Sequence, residues 1–355
     1  MRTAASLVVQ ETNRSRALRP FQDDGAIDFV SQNWALPDLL GDSVLNRLRT
    51  RLQRYGLQPT TDFEYSSLSD LSSLVERLLL EFSKEDVTTL VLIRLSAYAE
   101  IDYFDVLRFH REHGKPITAV HDSQGPLHIS VLDVKQETQC AEFNRNLLNG
   151  SFWEGDEPIC GRYIFEGYVN RLESPQDFCR LATDALAGRC ELRPVGCEVI
   201  PGVWLGEGAR IDAGARILAP VYIGRHTKIR NAAVISRASV ERDCEVDCAT
   251  VIDESNVLPF SYVGAGLKVA NALVNGSGFL NLTHNVELQI RDQKLLGRVR
   301  SGSLLFSVKD SVGSLARSVR RAAQSVLVPT ASSESFLSSD CPRNRAVVLS
   351  RLGEA

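Results

Sequence analysis

The chain has 355 residues, 44% of them hydrophobic, and carries 40 Lys and Arg against 44 Asp and Glu, for a formal net charge of -4. That length passes the roughly 250 to 300 residues at which a single core stops growing, so more than one domain is expected. The charge argues against a dedicated nucleic-acid binder, because no broad basic field is available to replace phosphate counterions.

No run approaches the roughly 20 apolar residues of a membrane span. MRTAASLVVQ leads into ETNRSR rather than a small-residue cleavage site, so a cytoplasmic protein is expected. Residues 43–56 place Val44, Leu45, Leu48, Leu52 and Tyr55 on one stripe between Ser43 and Gly56, which predicts a capped helix. A second stripe, Leu71, Leu74, Val75, Leu78 and Leu79, precedes an apolar run over 87–95 that reads as a buried strand. A helix over 103–113, closed by Gly114, leads to a short strand over 117–120, and strand, helix, strand implies a parallel α/β unit. The last helix before the carboxy-terminal half starts at Pro175 after Ser174 and stops before Gly188.

From residue 199 an aliphatic side chain returns every six positions, at Val199, Leu205, Ile211, Ile217, Ile223 and Ile229. After a five-residue step it resumes at Val234, Val240, Val246, Ile252 and Leu258. The fifth place of each hexapeptide is mostly small, as in Ala209, Ala215, Ala233 and Cys244. Two inward places in six, repeated this often, predict a three-sided solenoid of short parallel strands. The pattern resembles the left-handed parallel β-helix of hexapeptide-repeat acyltransferases and of many sugar nucleotidyltransferases. The eight cysteines lack paired CxxC spacing, and neither a zinc site nor a disulfide framework is expected.

Four segments carry a wider resemblance: residues 36–56, 100–120 (EIDYFDVLRFHREHGKPITAV), 165–188 (FEGYVNRLESPQDFCRLATDALAG) and 259–282. In this order they are similar to sugar-1-phosphate nucleotidyltransferases, the nucleotide-sugar pyrophosphorylases that make compounds such as GDP-mannose. The resemblance implies a shortened, Rossmann-like α/β domain over 1–194, a left-handed β-helix over 195–290, and a tail over 291–355. It also implies a place in bacterial nucleotide-sugar or exopolysaccharide synthesis.

The family's chemistry needs three devices, and each is missing or changed. A glycine-rich loop offers backbone amides to the triphosphate, yet residues 1–24 contain no glycine, and only Thr12, Arg14 and Arg16 stand as a remnant. Two aspartates hold Mg2+; by resemblance their places fall on Ser96 and Arg171. One has lost its carboxylate and the other has reversed its charge. A lysine that stabilises pyrophosphate falls near Trp34. The expectation is a regulatory or scaffolding homologue without transfer activity, with no metal and no cofactor.

Two alternatives stay open. A divergent active nucleotidyltransferase would need Mg2+. A hexapeptide-repeat acyltransferase would need a general base, for which His226 and His284 are the candidates. Partners by resemblance are a second copy or an active relative, joined through the β-helix. Residues 304–327 place Leu305, Val308, Val312, Leu315, Val319, Ala322 and Val326 on one stripe, with Lys309, Arg317, Arg320 and Arg321 largely opposite. Such a basic amphipathic helix docks on its own protein or rests on an acidic membrane surface, giving a membrane-peripheral alternative.

Overall fold

Strand β1 (Arg2–Gln10) is buried on both faces between two parallel neighbours, which is why RTAASLVVQ runs nearly continuous in apolar and small residues rather than alternating. The computed structural model describes residues 2–10, 29, 33–57, 59–65, 68–134 and 160–299. The chain is a mixed α/β protein that divides into two units. One comprises Met1–Pro37 and Asp42–Phe178, the other Asp38–Gly41 and Cys179–Ala355. Among the described residues no helix is long and apolar enough to cross a membrane.

In the first unit, helix α1 (Val44–Arg54) starts where the Ser43 hydroxyl accepts the Asn46 N–H at 3.2 Å, and it places Arg51 and Arg54 in its last turn. Strand β2 (Pro59–Tyr65) follows, then α2 (Leu68–Lys84) and β3 (Val87–Arg94). Helix α3 (Tyr103–His113) is capped by Asp102, which accepts from Phe104 N at 2.9 Å, and it ends on Gly114 at φ 60°. Strands β4 (Ile117–Asp122), β5 (Gly125–Asp133) and β6 (Cys160–Ile164) complete a sheet of order β2-β1-β3-β5-β4-β6. The strand, helix, strand unit is present, but β5 lies antiparallel between its two strands.

One sheet face, with Val8, Leu90, Leu92 and Ala119, packs on Leu71, Leu74, Val75 and Leu78 of α2. The other, with Leu7, Val91, Ile93 and Val131, packs on Leu52 of α1 and Val106 and Leu107 of α3. Each fully buried aliphatic side chain contributes about 1.5 to 3 kcal/mol, so the two predicted helical stripes are explained by what they cover. Helix α4 (Pro175–Leu186) begins where the Ser174 hydroxyl accepts Asp177 N at 3.1 Å and donates to Asp177 Oδ2 at 2.7 Å.

The second unit is built from short, mainly parallel strands. Val203 pairs with Val221, Arg210 with Lys228 and Arg216 with Val234, eighteen residues on. Later partners, such as Val221 with Ala238, Lys228 with Glu245 and Val234 with Val251, lie seventeen apart. The core takes Leu205, Ile211, Ile217, Ile223, Ile229, Ile235, Val240, Val246, Ile252, Val257, Val263, Val269 and Val274. The five-residue step therefore falls between Ile235 and Val240, not between Ile229 and Val234, and it recurs at 252–257 and 269–274. Val234 is only half-buried, and Val199 is exposed, so neither holds the core place expected of it. Val257 rather than Leu258 takes the next core place, and the pattern runs on to Val274, inside the range over 195–290 expected of the solenoid.

The small inward places are all buried. Two of them are polar for a reason: Thr227 Oγ1 donates to Glu241 O at 2.5 Å, and Thr250 Oγ1 donates to Gly264 O at 2.6 Å. Such bonds satisfy buried carbonyls that the short strands leave over. Asp38–Gly41 also belongs to this unit: Glu241, 1% exposed, accepts Leu40 N at 2.7 Å and Gly41 N at 2.9 Å. Beside it Arg242 pairs with Asp38 at 2.5 Å. Among the described residues Cys197 is disulfide-bonded, a bond the cysteine spacing did not predict, whereas Cys160, Cys179, Cys190, Cys244 and Cys248 keep their thiols outside any disulfide.

Candidate functional site

Strands β1, β3, β4 and β6 all run in one direction, so their carboxyl ends share one edge of the first unit's sheet, the edge where open α/β sheets bind ligands. Ser96 lies two residues beyond β3. Antiparallel pairing of Ile93 with Ile129 brings the next residues outward, Arg94 and His128, to the same place. The short antiparallel pair of Tyr98–Ala99 with Val169–Asn170 delivers Arg171 there as well. The two positions singled out by resemblance, Ser96 and Arg171, thus meet around one imidazole.

Ser96 Oγ lies 2.8 Å from His128 Nδ1. Burial, then the charges of Arg94, Arg171 and His121, push the His128 pKa down to about 4, so the ring is neutral at pH 7. So weak a base is poorly matched to taking a proton from a serine hydroxyl, and the pair is not an activated nucleophile. His128 also holds φ 55°, an uncommon backbone state for a residue other than glycine.

Arg171 is enclosed by the hairpin turn between β4 and β5. Its guanidinium bonds the Asp122 carboxylate, and it donates to Pro126 O and Gly125 O at 3.1 Å each. Asp122 Oδ1 also accepts Gln124 N at 2.8 Å and Gly125 N at 2.9 Å. The Arg171 Nε–H is buried, with no acceptor among the described residues. The donor set does not suit Mg2+: the hydroxyl of Ser96 is bonded to an imidazole, the second place is a cation, and the carboxylate of Asp122 is committed to that cation and to two amides. Among the described residues no three of His, Cys, Asp and Glu are grouped to hold a metal.

A shallow cleft of about 340 Å³ opens beside this cluster, walled by the turn from Asp122 to Pro126 together with His121, Arg162 and Ile164. Asp122, His128, Arg94 and Arg162 were not singled out as a site in the sequence. His128 carried only the signal of being a histidine without metal-ligand spacing, and the others carried none.

The remaining candidates lie elsewhere. Trp34, at the place of the expected lysine, is 1% exposed and packs 5.2 Å from Phe178 and 6.5 Å from Phe29, centroid to centroid. It is a core aromatic. His226 sits 3.4 Å from Asp243, with its side chain 57% exposed, and His284 is exposed with its N–H on Asn281 Oδ1 at 2.9 Å. The structure does not bring His226 and His284 into a described cavity. Thr12, Arg14, Arg16 and residues 304–327 lie outside the described residues. No protein-family model matches the chain, and no curated protein matches it.

Proposed function

We propose that the protein is a non-catalytic homologue of sugar-1-phosphate nucleotidyltransferases, built as a shortened nucleotidyltransferase-like domain followed by a left-handed β-helix. In this reading it serves nucleotide-sugar or exopolysaccharide synthesis as a regulatory or scaffolding subunit, and it pairs through the β-helix with a second copy or an active relative. The observation that carries the reading is the arrangement of Ser96, His128 and Arg171: a neutral imidazole takes the hydroxyl, and an arginine takes the carboxylate of Asp122. At an effective dielectric near 20, a guanidinium at contact distance repels a divalent ion by several kcal/mol. Without that ion, phosphoryl transfer loses the counter-charge it depends on. The buried Trp34 supports the same reading, since it stands where a cation for the departing pyrophosphate would be needed.

The test is release of pyrophosphate by the purified chain from nucleoside triphosphates and a panel of sugar 1-phosphates with Mg2+. The rate matches the blank in this reading. Chain-dependent release that is lost in Asp122→Asn contradicts it and favours a divergent active enzyme.

A further inference from the structure

We propose that residues 304–327 cap the second unit, laying their apolar stripe on the bare end of its core at Val286 and Leu288. The inference concerns the second unit alone and holds whether or not the protein is catalytic.

Three observations lead there. First, the strand register carries one row of inward side chains along a whole wall: Ile223 pairs with Val240, Val240 with Val257, Val257 with Val274, Val274 with Phe279 and Phe279 with Leu288. Directly opposed residues stand on the same face of a sheet, so the row is continuous. Its members from Ile223 to Val274 are fully buried, and Phe279 packs partly on the core, whereas Leu288 is 48% exposed. Val286, two residues earlier on the same face, is 45% exposed. The row is built for one more apolar layer than the described strands supply.

Second, the walls end at different heights. The hairpin of Gly278–Asn281 with Val286–Gln289 adds two antiparallel strands beyond Ala272–Asn275, and Leu296–Arg298 adds one beyond Ser261–Val263. Among the described residues Lys268–Ala270 gains none, and the outer edge of Val286–Gln289 pairs with no further strand. Val286 and Leu288 thus stand on the inner side of the tallest wall, over the end of the stack. A stack of repeats buries each layer on the next, so its last layer needs a cover with a polar outer face. An open strand edge also invites pairing with another chain unless something shields it.

Third, the cover is tethered at this same end. Val299 N donates to Phe260 O at 2.9 Å, directly before the last parallel strand of its wall, and Leu305 follows six residues later. Six residues span at most about 20 Å, which sets the stripe of Leu305, Val308 and Val312 at the end of the stack. So short a link presents it at an effective concentration of order millimolar, well above that of a second copy in dilute solution. With the stripe turned inward, Lys309, Arg317, Arg320 and Arg321 supply the polar outer face.

The experiment is amide hydrogen exchange of the full chain, at two protein concentrations tenfold apart, with and without vesicles of phosphatidylglycerol and phosphatidylcholine. Amides over 305–326 are expected to exchange at least tenfold more slowly than an unstructured chain, at both concentrations and without vesicles. Leu288→Asp, at an exposed position, removes that protection while the strand Val234–Val240 keeps its own. Val308→Asp with Val312→Asp removes it too, and it speeds exchange over Val286–Gln289, which loss of the helix alone would not do. If Leu288→Asp also opens Val234–Val240, this second variant decides. Exchange over 305–326 at the unstructured rate overturns the proposal, as does protection unchanged in Leu288→Asp. Protection that falls on dilution overturns it in favour of a second copy, and protection seen only with vesicles overturns it in favour of a membrane surface.

Discussion

Ser96 and His128, 32 positions apart in sequence, are joined by a 2.8 Å contact between Oγ and Nδ1 at the carboxyl edge of the first unit's sheet. The contact engages the hydroxyl, while burial and the charges of Arg94, Arg171 and His121 keep the ring uncharged. Ser96→Ala removes one side of a partly buried hydrogen bond and is expected to cost about 1 kcal/mol, read as a lower midpoint in urea with an unchanged slope. A variant as stable as the parent would show that the contact does not form.

The depressed pKa of His128 makes stability depend on pH. The unfolded ring titrates near 6.5 and the folded one near 4. Between those values the unfolded chain binds more protons, so stability is full above about pH 6.5 and falls as pH drops towards 4. The loss from this group approaches about 3 kcal/mol. His110 is shifted the same way by burial and adds to the slope. Denaturant titrations from pH 7.5 to 4 should show the decline, and His128→Asn, which tolerates the left-handed backbone, should flatten it. An identical slope in the variant would contradict the assignment.

Restoring the missing carboxylates does not restore chemistry. Ser96→Asp with Arg171→Asp is expected to give no pyrophosphate release, because the amino-terminal segment still lacks a glycine loop. The double variant also strips Asp122 of its cation, and losing one partner of a largely buried ion pair costs about 3 kcal/mol or more. Measurable turnover in the double variant would show that two charges alone silence the site.

Glu241 and Gly41 form a second testable pair. The Glu241 carboxylate takes two backbone amides, and a side chain on Gly41, at φ 94°, would run into the Tyr222 hydroxyl and Val195. Gly41→Ala is expected to lower stability by about 2 kcal/mol or more from strain and crowding. Tyr222→Phe in that background should return part of it, leaving the backbone share. Additive effects of the two substitutions, without partial rescue, would contradict the crowding.

The six-residue period was legible because one inward place in each repeat holds an aliphatic side chain and the other a small one, and that spacing needs no tertiary information to be seen. Where the step falls was not legible, since Val234 and Ile235 are both aliphatic and adjacent, and only packing shows that Ile235 is buried while Val234 is half-exposed. The two residues separate experimentally: Ile235→Ala should cost about 2 to 5 kcal/mol and Val234→Ala less than about 1.5. The capped helices over Val44–Arg54 and Tyr103–His113 were legible for a local reason, a cap followed by a stripe. Strand β5 was not, because His128 and Ser130 interrupt its apolar run. At the site, Ser96 and Arg171 could be singled out one by one. Their partners His128 and Asp122 could not, since those contacts close over 32 and 49 residues of chain and leave no local spacing.

The most direct measurement is titration of the nucleotide-free chain with Mn2+, followed by electron paramagnetic resonance of the unbound ion. No Mn2+ should be held with a dissociation constant below about 1 mM at the edge formed by Ser96, His128 and Arg171, and Asp122→Asn should leave the titration unchanged. One ion bound per chain at sub-millimolar concentration, and lost in Asp122→Asn, would contradict the account.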